Sequence, residues 1–130
     1  MYLKALCFND LETAEAIKEH ARGSKHPSGV KDLGRMVKGY DDRFWAEKRF
    51  DAMFLVNLCK FSQNPQFSDI LLKTGDKVLV EASPVDLIWG VGLGENDPLI
   101  LEEKNWRGQN LLGKALMKVR RSLKNYENCH

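Results

Sequence analysis

The sequence predicts an α+β fold, a mostly helical single domain with a small β-sheet, on three observations. Apolar residues recur at helical spacing between residues 10 and 75. A short β-branched run, Lys77-Val-Leu-Val80, is bounded by Gly-Asp and by Ala-Ser-Pro, as a strand would be. A last helical pattern opens near Gln109.

The elements follow in order. Asp10 is placed to cap a helix in which Leu11, Ala14, Ile17 and Ala21 share a face, and Gly23 to end it. Pro27 suits the first turn of a second helix, with Val30, Leu33 and Val37 as its stripe before Gly39. Asp41 or Asp42 opens the longest helix, where Phe44, Trp45, Met53, Val56 and Phe61 mark one broad buried face. Asn64-Pro65 breaks it, and a shorter helix with Phe67, Ile70 and Leu71 stops at Gly75. Leu112, Leu116, Val119 and Leu123 form the apolar face of the final helix. Gly113 inside that helix costs about 1 kcal/mol relative to Ala, which points to a close packing partner.

A chain of 130 residues suits one domain, residues 1–130, large enough to hold a core without disulfides or metals. Hydrophobic residues make up 43% and charged residues 29%, which excludes a disordered chain. Twenty basic against eighteen acidic side chains are too balanced for a protein dedicated to a phosphate backbone. No apolar run reaches the roughly 18–20 residues of a membrane span, and the N-terminus is no signal peptide. A cytoplasmic location is expected. Cys7, Cys59 and Cys129 are widely spaced without a CxxC, and His20, His26 and His130 do not pair at helical spacing. Neither a disulfide framework nor a metal site is expected, and no cofactor is implied.

Two polar constellations stand out. In the first, the expected strand ends at Glu81, a Pro turn delivers Asp86, and Trp89, Gly90, Gly92 and Gly94 follow. Carboxylates serve ribose hydroxyls or acid–base work, Trp offers a stacking face, and glycines let backbone approach a ligand. The same residues also suit an Asp cap, a core Trp and ordinary turns. The G-x-G-x-G spacing is not a dinucleotide fingerprint. The second constellation, Trp106-Arg-Gly108-Gln-Asn110, leads into the last helix. Backbone N–H groups at that helix start would suit a phosphate, or Asn110 is simply a cap.

Lys114, Lys118, Arg120, Arg121 and Lys124 give the last helix a positive side, read as a solvated face or a polyanion footprint. Lys4 stands among apolar neighbours. Partial burial would lower its pKa and make it a nucleophile, whereas snorkelling would leave it an ordinary surface lysine.

Together these segments resemble the NADAR domain family. The resemblance runs through Lys4-Ala5, Leu33-Gly34-Arg35, Trp45, Met53, Lys60-Phe61, Gln63-Asn64-Pro65, Leu72 and Thr74-Gly75. It continues in Leu79-Val80-Glu81-Ala82-Ser83-Pro84, Asp86, Trp89-Gly90-Val91-Gly92, Trp106, Gly108, Asn110, Leu112-Gly113, Leu116-Met117 and Val119-Arg120.

The resemblance implies an N-glycosidase that separates an amine or base from ribose C1′. Its substrates would be early riboflavin intermediates or ADP-ribosylated guanine in nucleic acid. The alternative is a non-catalytic module that binds ADP-ribose or a nucleotide. Carried over, Lys4 is the residue that attacks C1′, and Glu81 and Asp86 stabilise the sugar cation or move a proton. Trp89 stacks on base or ribose. Gly90, Gly92, Trp106, Gly108 and Asn110 line the pocket, and Arg35 and the nearby helix start meet phosphate. Family members begin with a further segment that carries a Phe-Leu-Ser-Asn-Phe-like stretch and a glutamate. This sequence starts within the helix that follows it, so it is expected to be short at that end.

Overall fold

The computed structural model describes residues 1–23 and 26–128, which fall into two compact units, Met1–Ala52 and a second beginning at Met53. Cys129 and His130 lie outside the described residues. No described helix is long and apolar enough to cross a membrane.

The first unit is helical. Helices α1 (Tyr2–Cys7), α2 (Leu11–Gly23) and α3 (Pro27–Arg35) pack around Ala5, Ala14, Ile17 and Val37, with Tyr2, Phe8, Val30 and Leu33 against them. Asp10 caps α2 as its position predicts. One carboxylate oxygen accepts the Thr13 N–H at 3.1 Å, and the other reaches the Lys38 N–H at 2.8 Å. The Lys38 bond, then the Thr13 bonds, hold this carboxyl below the usual range, so a single side chain closes a helix start and pins a loop. Val37 is buried but lies beyond α3, which ends at Arg35. Cys7 is exposed, as is Cys59 in α4.

Helix α4 spans Asp42–Ser62, and the Asp41 side chain caps it through the Phe44 N–H at 2.7 Å. The expected broad buried face is absent. No α4 residue is buried, and Phe44 and Val56 are exposed. At about 100° per residue, Phe44, Trp45, Met53, Val56 and Phe61 fan over most of the circumference and cannot all face one way.

In the second unit, α5 (Pro65–Lys73) starts at the Asn64-Pro65 break and ends before Gly75, whose φ of 61° is left-handed. It packs on α6 (Leu111–Asn128). Val91, Leu93, Ala115 and Val119 are almost fully enclosed, and Leu71 is buried. Two short 3₁₀ turns, Pro98–Leu101 and Glu103–Asn105, interrupt the irregular segment between the helices.

The small sheet does not form: the described residues contain no strand, so the fold is all-helical rather than α+β. The reason lies in distant side chains. The carbonyls of Lys77 and Leu79 in this run meet side-chain donors from residues 110–128 instead of another strand. The Asn110 amide accepts from the Glu81 N–H at 3.0 Å and donates to the Leu79 carbonyl at 2.9 Å, as a neighbouring backbone would. Buried Arg120 donates to the Lys77 carbonyl at 2.9 Å and to Thr74 Oγ1 at 2.7 Å. These side-chain bonds take the place of strand pairing at those positions, and the Lys77 N–H donates back to the Thr74 carbonyl.

Candidate functional site

The second unit gathers most of the expected site on a double loop. Segment 81–94 and segment 106–112 are laced by main-chain bonds. The Arg107 and Gly108 N–H groups both donate to the Val91 carbonyl, at 2.9 and 3.0 Å. Gln109 donates to Leu87 at 2.9 Å and Asn110 to Gly90 at 3.0 Å. Leu111 and Leu112 donate to Ile88 and Trp89, each at 3.1 Å. The Val91 N–H closes the loop on the Glu81 carbonyl at 3.0 Å.

Two glycines permit this approach. A Cβ on Gly108 would run into the Gly90 carbonyl and come within 2.9 Å of Leu87 Cα. Gly92 has a φ of 72°, a conformation costly for residues with a side chain.

This lacing overturns one expectation. The first N–H groups of α6 do not await a phosphate, because carbonyls of residues 87–90 already occupy those of residues 109–112. Asn110 is instead an interior tie. It is fully buried with φ at 52°, and both ends of its amide hold the chain at residues 79 and 81. Gly113 has the expected close partner: an added Cβ would strike the Leu79 carbonyl and lie 2.6 Å from the Asn110 amide.

The side chains on this scaffold divide into committed and uncommitted groups. Asp86 Oδ1 accepts the Ile88 and Trp89 N–H groups at 3.0 and 2.7 Å, so one oxygen shapes the turn while the other lies outside these bonds. Ser83 supports the same turn by accepting the Asp86 N–H at 3.3 Å, a role not read from the sequence. Trp106 is structural: its indole N–H donates to the Ile100 carbonyl at 2.9 Å. Trp89 and Glu81 are half-buried, and no described residue bonds the Trp89 indole N–H or the Glu81 carboxylate.

The positive side expected on α6 is partly turned inward. Arg120 is buried on the Thr74–Lys77 loop, and Lys124 donates to Asp76 at 2.9 Å and to the Gly75 carbonyl at 3.2 Å. These cations anchor the turn after α5 rather than form one solvated stripe.

Lys4 and Arg35 belong to the first unit. Arg35 is exposed and paired with Asp32 at 2.9 Å. Lys4 does not snorkel. It is half-buried, and its ammonium donates to the Gly34 carbonyl at 2.8 Å, one of the carbonyls that the end of α3 leaves unpaired. The ammonium stands 4.1 Å from the centre of the Tyr40 ring. Burial lowers its pKa from the ordinary 10.5 more than nearby Asp42 raises it, so the neutral amine is more accessible than on a surface lysine. Tyr40 escaped the sequence reading, and Asp42 was read only as a helix start, because neither lies at helical spacing from Lys4.

Comparisons with known proteins place the sequence in a family. The family model of the NADAR domain matches residues 1–124. An N-glycosidase of Acanthamoeba polyphaga mimivirus is 44% identical over 117 residues, covering 90% of this chain and 66% of that protein. Protein irg-1 of Caenorhabditis elegans is 42% identical over 125 residues, covering 95% and 57% respectively. The chloroplastic riboflavin biosynthesis protein PYRR of Zea mays is 34% identical over 115 residues, which is 85% of this chain and 17% of that one. The chain thus spans two thirds or less of these relatives' lengths. With the motif segments from Lys4 to Arg120 inside the matched region and the glycine-laced loop that they build, the chain belongs to the NADAR domain family.

Proposed function

We propose that this domain is an N-glycosidase that cleaves the bond between ribose C1′ and a nitrogen. The observation that carries the reading is the contrast within the double loop. Its backbone is rigidly bonded, yet the Glu81 carboxylate, one oxygen of Asp86 and the Trp89 indole are left uncommitted. Groups held in place without internal partners are what a charge-stabilising site requires. A relative named as an N-glycosidase supports the same reaction.

In this reading Lys4 Nζ, as the neutral amine, bonds to C1′ while the C1′–N bond breaks. The departing nitrogen keeps the bonding pair and takes a proton. Ring opening leaves an imine on Lys4, and water returns the amine and the free sugar. Glu81 and Asp86 stabilise positive charge on the sugar or carry the proton, and Trp89 stacks on the base or ribose. Trp106, Gly108, Gly90, Gly92 and Asn110 act by shaping the loop. Arg35 is the remaining candidate for phosphate, its pairing with Asp32 being exposed and easily exchanged.

The substrate carries a phosphoribosyl or ADP-ribosyl group. Two classes fit, ADP-ribosylated guanine in nucleic acid and early riboflavin intermediates. Incubation with an ADP-ribosylated guanine oligonucleotide and with those intermediates is expected to release ADP-ribose or sugar phosphate from at least one. Binding of ADP-ribose with no release from any substrate would replace the glycosidase by a binding module.

A further inference from the structure

We propose that Tyr40, braced by Asp42, is the positioning residue for the Lys4 amine. The proposal rests on Lys4 as the nucleophile and deepens that reading.

Two supports hold the Lys4 ammonium, the Gly34 carbonyl at 2.8 Å and the Tyr40 ring at 4.1 Å. An ammonium has three N–H donors, so one bond to a carbonyl leaves it free to swing about that contact. The ring face supplies the second point. It attracts a cation and covers the amine on that side from water.

The ring itself is held from two directions. Its hydroxyl donates to Asp42 Oδ1 at 2.7 Å. Phe8 packs edge-on at 5.4 Å between centroids and in turn meets Phe44 at 5.6 Å. Residue 40 follows Gly39, whose φ of 69° turns the chain, and lies two positions before the first residue of α4. A tyrosine 44% exposed does not gain these restraints from core packing. The arrangement joins α1, the end of α3 and the start of α4 on one side chain.

The charged groups around it are few. Asp42 acts on both Lys4 and Tyr40, Asp41 and Arg49 act on the Tyr40 hydroxyl, and the Met1 amino group is within electrostatic range of Lys4. Burial outweighs the Asp42 charge at Lys4, and the ring supplies part of that burial. Its removal takes away both that cover, which holds the titration down, and the attraction of the ring face for the cation, which holds it up, so the midpoint shifts by the difference.

The test is reductive trapping with ribose 5-phosphate and cyanoborohydride. The amine adds to the C1 aldehyde of the open sugar and loses water to give an imine, and hydride from the borohydride reduces it to a secondary amine. Peptide mass mapping follows the adduct at Lys4 across pH. Tyr40→Leu is expected to cut trapping at Lys4 about tenfold near neutral pH, the scale on which a misplaced reacting group loses rate, and to shift the midpoint. Tyr40→Phe keeps the ring and is expected to stay within about twofold of the parent.

Wild-type rate and midpoint in Tyr40→Leu would overturn the proposal, as would equal defects in the Leu and Phe variants. Loss of most of the total adduct, summed over all peptides, in Lys4→Ala is the expected control. An undiminished total adduct in Lys4→Ala would instead remove Lys4 as the reactive amine and sink the nucleophile reading itself.

Discussion

Replacing Asn110 by Leu tests whether its side-chain amide stands in for a strand. The two side chains share a branched shape, with leucine the bulkier, so the change opens no cavity, yet the Glu81 N–H and the Leu79 carbonyl lose their partners. Both residues are half-buried, which places each loss near the low end, about 1 kcal/mol. Leucine must also adopt the φ of 52° that asparagine tolerates, adding roughly 1 kcal/mol. The sum is about 3 kcal/mol, a large share of the 5–15 kcal/mol typical of a domain. For a chain of this size it corresponds to a fall in Tm of about 12 °C. Thermal unfolding by circular dichroism measures the total, and hydrogen exchange at the Glu81 amide measures the local part. Asn110→Asp should fall between, since a carboxylate still accepts from Glu81 but faces the Leu79 carbonyl oxygen. A Leu variant within about 0.5 kcal/mol of the parent, with Glu81 exchanging as slowly as before, would refute the reasoning.

Three further outcomes are expected. Gly108→Ala drives a methyl into the Gly90 carbonyl and against Leu87 Cα, backbone atoms that cannot swing aside. It should destabilise by about 2–3 kcal/mol in chemical denaturation, whereas Gly94→Ala, which meets open space, should be nearly neutral. Asp10 titrates below 3.8 in the folded chain, so its contribution is present above that pH and fades as acid brings the pH down through the lower folded value. Asp10→Asn should be less stable at neutral pH and should lose less on acidification, as followed by tryptophan fluorescence. Lys4→Arg keeps a cation for the Gly34 carbonyl but supplies no neutral amine. Glycosidase turnover should vanish with the fold intact, while the parent's rate should climb with pH through a midpoint below 10.5.

Signals carried by one residue or one turn of chain were legible in the sequence. Asp10, Pro27, the Asn64-Pro65 break and Gly75 mark real helix boundaries, because caps, proline rings and left-handed turns act within a few residues. Gly113 announced a close neighbour for the same reason, an energetic cost visible without knowing the partner. The double loop also stood out by residue type, since Glu81, Asp86, Trp89 and the glycines are chemically distinctive in the sequence.

What failed depended on groups far along the chain. Lys77–Val80 looks like a strand, but its conformation is satisfied by Asn110 and Arg120, side chains about 30 to 43 residues away in sequence. The start of α6 looked open to phosphate, but carbonyls from residues 87–90 fill it. Lys4 could be read either way until Gly34 and Tyr40 were placed around it. The sequence by itself determined the helices, the family and the residue types gathered on the double loop, since propensity and motif are local. Only the tertiary structure decided that an amide replaces a strand, that carbonyls fill the start of α6, and that Lys4 is half-buried against Gly34 and Tyr40. Those outcomes turn on which distant donor meets which acceptor, and a linear pattern does not specify that pairing.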